Sequence, residues 1–163
     1  MLRLISMLSL FVCSFAACKS KPPARAEAPT RAKYGVALSN MEANIVAEVN
    51  KYRQSKGLPA LQVNSIIATE AALHSQKMAR HQVGFGHDGF DGRVSRINSR
   101  LGSAKASGEN VAEGVMTAYD VVQQWLGSKV HRENIEGRYN LTGVGVSRDT
   151  RGNIYYTQIF ILK

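Results

Sequence analysis

The sequence predicts an α+β domain in which helices pack against a mainly antiparallel sheet. Three observations carry the prediction. Apolar residues recur at helical spacing early in the chain, as Ile45, Val49 and Tyr52 and again as Ile67, Ala71 and Met78. Two runs of strand character, 141–147 and 154–161, lie at the end. Between them, 149–153 (DTRGN) has the composition of a hairpin turn. No internal repeat is visible.

The elements follow in order. Residues 1–17 hold one early Arg and then a mostly apolar run, a signal-peptide pattern too short to span a bilayer comfortably. The run ends Phe15-Ala16-Ala17-Cys18, which resembles a bacterial lipobox. That resemblance implies a lipidated Cys18 as mature N-terminus and membrane attachment through it. Lys19 after the cysteine then favours the outer membrane in a Gram-negative host; ordinary cleavage to a secreted or periplasmic protein is the other reading. Residues 18–38 carry three prolines and five Lys or Arg up to Lys33, and read as a flexible basic tether to a domain at 39–163.

In that domain, Ser39 and Glu42 have capping-box spacing, so a first helix is expected to start there and to end before Gly57-Leu58-Pro59. Asn64 is placed to cap a second helix running to about Gln82, with His74 on its inner face as a core histidine and His81 at its end. A short helix is expected over 93–101, then a loop over 103–114 with room for a short strand. Thr117 caps a helix whose apolar side is Val121, Val122 and Trp125. Trp125, Tyr155 and Tyr156 read as core rather than as a stacking platform.

Charge and cysteine usage narrow the function. The formal charge is +9, and segment 18–33 supplies +4 of it, from five Lys or Arg against Glu27. No Lys/Arg run is interleaved with aromatics, so nucleic-acid binding is not expected; a basic segment beside a membrane meets anionic headgroups. The two cysteines, Cys13 and Cys18, both lie in the leader. The domain is therefore expected to fold without a disulfide or a Cys-ligated metal.

The chemistry-bearing residues stand in unusual contexts. His87 lies in the glycine-rich GFGHDGFDGRV, Glu109 in SGENVAEG, and His131 just past the expected end of the Trp125 helix. There is no H-E-x-x-H helix and no G-x-S-x-G elbow. Spacing alone leaves open whether the three share a site.

Taken in order, ALHSQKMARH, GHDGFDGRVSRI, SGENVAEG, VVQQWLGSKVHRENI, GVGVS and GNIYYTQIF resemble the CAP family (cysteine-rich secretory, antigen 5, pathogenesis-related) in its short bacterial form, over about 40–162. The resemblance implies a three-layer α-β-α sandwich and a cleft of two His and two acidic residues. Position by position these are His87, Glu109 and His131, with Ser128 where a second Glu stands in eukaryotic members. The lost carboxylate implies that His87 and His131 hold a divalent cation such as Zn²⁺ only weakly. Two functions follow from the resemblance. One is a binding module for a lipid, cell-wall component or protein, with Glu109 either lining the cleft or holding the histidines. The other is a metal-assisted hydrolase of envelope peptide or ester bonds, using an open water position on the metal.

Overall fold

The structure, a computed structural model, describes residues 31–163. The leader, Cys18 and the tether up to residue 30 lie outside the described residues. Five helices and four strands follow in the order α1 (Arg31–Ser55), β1 (Gln62–Val63), α2 (Ser65–Ala79), α3 (Phe90–Leu101), β2 (Ala106–Glu113), α4 (Ala118–Gly127), α5 (Lys129–Glu136), β3 (Leu141–Arg148) and β4 (Ile154–Leu162). None of the described helices is long and apolar enough to cross a membrane.

The strands form one sheet in the order β1-β3-β4-β2. β3 and β2 flank β4 antiparallel, and β1 adds a short parallel pairing to β3. The period-two alternation of β4 divides the core into the two sides of a sandwich. Ile154, Tyr156 and Phe160 pack with Ile45 and Val49 of α1, Val121 and Trp125 of α4 and Ile135 of α5. Ile159 and Ile161 pack with Ile67 and Ala71 of α2 and Ile97 of α3. The α-β-α sandwich is the architecture expected from the sequence.

Close approach of α2 to β3 depends on GVGV. A Cβ on Gly143 would run into the backbone of Ala68, and one on Gly145 into that of Ala72. The helix axis therefore sits on bare strand backbone, and Ser75 completes the contact by donating to Gly145 O at 2.8 Å. On the opposite face the buried Arg53 of α1 fixes the end of α5. Its guanidinium donates to the carbonyls of Pro59, Ile135 and Gly137 at 2.6–2.9 Å, which satisfies acceptors that a helix C-terminus leaves open.

Local expectations fare unevenly. Asn64 caps α2, its side chain accepting from Ile66 and Ile67. Thr117 caps α4 in a reciprocal box with Asp120. Asp149 closes the hairpin by accepting from the amides of Arg151 and Asn153. The Ser39 cap is a correction: α1 starts at Arg31, through 31–38 of the expected tether. Glu42 reaches across to the sheet instead, accepting from the Val146 amide at 3.1 Å. α2 ends at Ala79, short of Gln82, and His81 follows with φ 54. The loop expected over 103–114 is largely the eight-residue strand β2.

β2 is an edge strand, yet its outward carbonyls are not bare. Trp125 Nε1 donates to Val111 O, Asn134 Nδ2 to Glu109 O and Tyr139 Oη to Ser107 O, at 3.0, 3.0 and 3.2 Å. Gly108 makes this possible, because a Cβ there would lie 2.7 Å from Asn134 Oδ1.

Candidate functional site

β2 brings the candidate residues together because its two faces serve two helix layers. Glu109 points to the α2/α3 side and Asn110 to the α5 side. Asn110 Nδ2 donates to His131 O at 3.0 Å, and its Oδ1 accepts from Asn134 at 2.9 Å. Two side-chain amides thus pin α5 to the strand at the turn that carries His131. The sequence reading put His131 beyond a helix end. It does lie just past the end of α4, but within a second helix, α5, that starts directly afterwards and was not expected.

His87 arrives from the other side, on the loop between α2 and α3. Gly89, with φ 77, turns that loop into α3, a conformation that costs glycine little. His87 Nδ1 lies 3.0 Å from Glu109 Oε1. The carboxylate is buried while the imidazole is half exposed. The His87 and His131 rings stand 6.4 Å apart, tilted by 55°. His87, Glu109 and His131 therefore gather at one place, as the resemblance implied.

The residue that organises them is Arg93, which the sequence reading passed over. It is buried in the first turn of α3 and grips Glu109 with two bonds, Nε to Oε2 at 2.8 Å and Nη2 to Oε1 at 2.7 Å. Its Nη1 also donates to Asp88 O at 2.8 Å, in the His87 loop. Glu109 is thereby a neutralised anchor that orients His87, and it makes no bond to His131. A second buried anchor is His74, whose Nε2 lies 2.8 Å from Gly86 O. It is the core histidine expected from its helix face, and its ring also holds the loop.

The surroundings disfavour charge on the buried His74 and the part-buried His131. Burial pushes the His131 imidazole below its ordinary range, and charge on His87 pushes it the same way. Burial pushes His74 down too, against the opposing effect of its bond to Gly86.

The donor set does not fit the metal site that four cleft ligands would make. Among the described residues no three His, Cys, Asp or Glu are placed to hold an ion. Both Glu109 oxygens are taken by a guanidinium. Ser128 sits at the α4–α5 junction, one helical turn before His131, and its side chain caps neither helix. Two imidazoles are what remain. Elsewhere a groove of about 210 Å³ lies between α1 and α4, with Tyr52, Tyr119 and Val122 in its wall.

Comparison with known proteins agrees with this fold. The model of the cysteine-rich secretory protein family, CAP, matches residues 46–160. The uncharacterized protein YkwD of Bacillus subtilis is 35% identical over 147 residues, which is 88% of this chain and 56% of that protein. The chain thus spans little more than half the length of that relative. An extracellular SCP-domain protein of Bacillus anthracis superposes with a TM-score of 0.68 at 28% identity, over 85% of this chain and 45% of the other. An outer surface protein of Borrelia burgdorferi shares the fold, with a TM-score of 0.64 at 17% identity over 83% and 96% of the two chains. With the sandwich and the motif order in agreement over 46–160, this chain belongs to the cysteine-rich secretory protein (CAP) family.

Proposed function

We propose that this chain is an envelope binding module, tethered through a lipidated Cys18, that presents the His87–His131 pair to a lipid, cell-wall or protein ligand. The observation that carries the reading is the state of Glu109. Its charge is balanced by Arg93 and it bonds only one of the two rings. A carboxylate so neutralised is a weak partner for proton transfer and a good fixed support for a recognition surface. His87 is held firmly yet half exposed, which leaves Nε2 for a ligand. The lipobox-like leader supports the envelope location, as do an extracellular and an outer-surface relative. The hydrolase reading has less support: among the described residues no nucleophile and no third metal ligand accompanies the pair.

Cosedimentation of the full chain with isolated cell-wall sacculi and with vesicles of envelope lipid tests the reading. His87→Ala and His131→Ala are each expected to weaken capture about tenfold, the scale of one or two lost hydrogen bonds. Capture unaffected in the double variant sinks it. A zinc titration of the wild-type chain is expected to show only weak binding, because two neutral imidazoles bring no charge to the ion, and His87→Ala and His131→Ala are each expected to abolish it.

A further inference from the structure

A second concavity, of about 90 Å³, opens between α2 and α3. It has several times the room that one water needs. Its inner wall is made by Glu70, His74 and Arg93, all buried, and its rim by Leu73, Lys77 and Arg96; the Arg93 guanidinium is already spent on Glu109 and the His87 loop. The donors and acceptors are sorted by depth. Arg96 spends Nε and Nη2 on a single oxygen, Glu70 Oε2, at 3.0 and 2.8 Å. No described residue donates to Glu70 Oε1. His74 Nε2 faces a carbonyl, Gly86 O. A carbonyl only accepts, so the ring proton sits on Nε2 and Nδ1 is a bare lone pair. No described residue donates to that atom either. At the rim, Arg96 keeps Nη1 uncommitted, and Lys77 makes no ion pair among the described residues.

Two unpartnered acceptors on buried side chains, beneath two exposed cationic donors, select a ligand. A simple anion would meet the Glu70 carboxylate and the His74 lone pair. A simple cation would have to pass Lys77 and Arg96. A compact zwitterion satisfies both levels at once. We infer that this cavity binds a primary ammonium group carried one or two carbons from an anionic group, the ammonium donating to Glu70 Oε1 and His74 Nδ1 and the anion lying between Lys77 and Arg96. Small α-amino acids and the phosphoethanolamine head of a phospholipid both have that chemistry. The inference goes beyond the recognition role of the His87–His131 pair and stands if that role fails.

Backbone amide shifts of the ¹⁵N-labelled full chain provide the test, with glycine, phosphoethanolamine, methylammonium and acetate as probes. One of the two zwitterions is expected to shift the Leu73, His74 and Arg96 amides saturably, with a dissociation constant of about 1–10 mM, reasonable for so few atoms. Which of them binds tighter identifies the source, an amino acid or a lipid head. Lys77→Ala lies at an exposed position and is expected to weaken binding about 5-fold, the upper end for one exposed charge contact. No saturable shift, equal binding of methylammonium or acetate, or indifference to Lys77→Ala each overturns the proposal.

Discussion

Arg93 shows how a single buried guanidinium decides what its neighbours can do. It engages both oxygens of Glu109 and ties the His87 loop to the same point. Removing one partner of a buried pair strands the other charge, at a cost of about 3–5 kcal/mol. Arg93→Ala is therefore expected to lower the urea midpoint far more than Arg100→Ala, an exposed arginine of the same helix; equal losses would show that Glu109 is not held as described. A pH effect follows from His74 and His131, whose folded forms resist protonation. Above about pH 6.5 both folded and unfolded chains keep these rings neutral, and they contribute no slope. Below it the unfolded chain binds the protons more readily, so stability falls as pH drops. Thermal melts from about pH 7.5 to 5 check this, and a midpoint that rises on acidification contradicts it. His87, Glu109 and His131 were legible in the sequence because turn glycines and a family motif mark them. Arg93 was not, since an Arg in the first turn of a polar helix reads as surface charge until the fold closes over it.

At the level of elements, legibility tracked how much of each segment's burial shows in its own composition. α2, α4, β3 and β4 carry apolar periodicity, the two helices also carry recognised caps, and all four start where expected. β2 does not read as a strand, because ASGENVAE is small, polar and rich in turn formers; its central residues are buried because α5 and α2 cover both faces. α5 is equally opaque, since Ile135 is its one buried residue and polar bonds from Arg53 and Asn110 hold it in place. The contact of α2 with β3 leads to a sharp expectation. Gly145→Ala puts a methyl group into helix backbone rather than into a yielding side chain, so it is expected to cost at least about 3 kcal/mol. Gly127→Ala, where the added atom meets nothing, provides the control. A Gly145→Ala protein as stable as that control would mean that α2 does not rest on the strand.

For the molecule as a whole, the described domain contains no cysteine, so its cohesion comes from two apolar layers and from polar ties between them. Reductant is expected to leave its thermal midpoint unchanged. The ties along β2 have a consequence for how one copy behaves among many. A strand at the end of a sheet is a template on which a second chain can lay a further strand. Here Trp125, Asn134 and Tyr139 occupy the acceptors that such a newcomer would need. Asn134→Ala with Tyr139→Phe uncovers two of the three, and light scattering is expected to show concentration-dependent self-association that the wild-type chain lacks; unchanged scattering counts against the idea. The strand that holds Glu109 in place thus also has its outer edge covered, and drift in α5 toward a new ligand is constrained by the need to keep that edge covered.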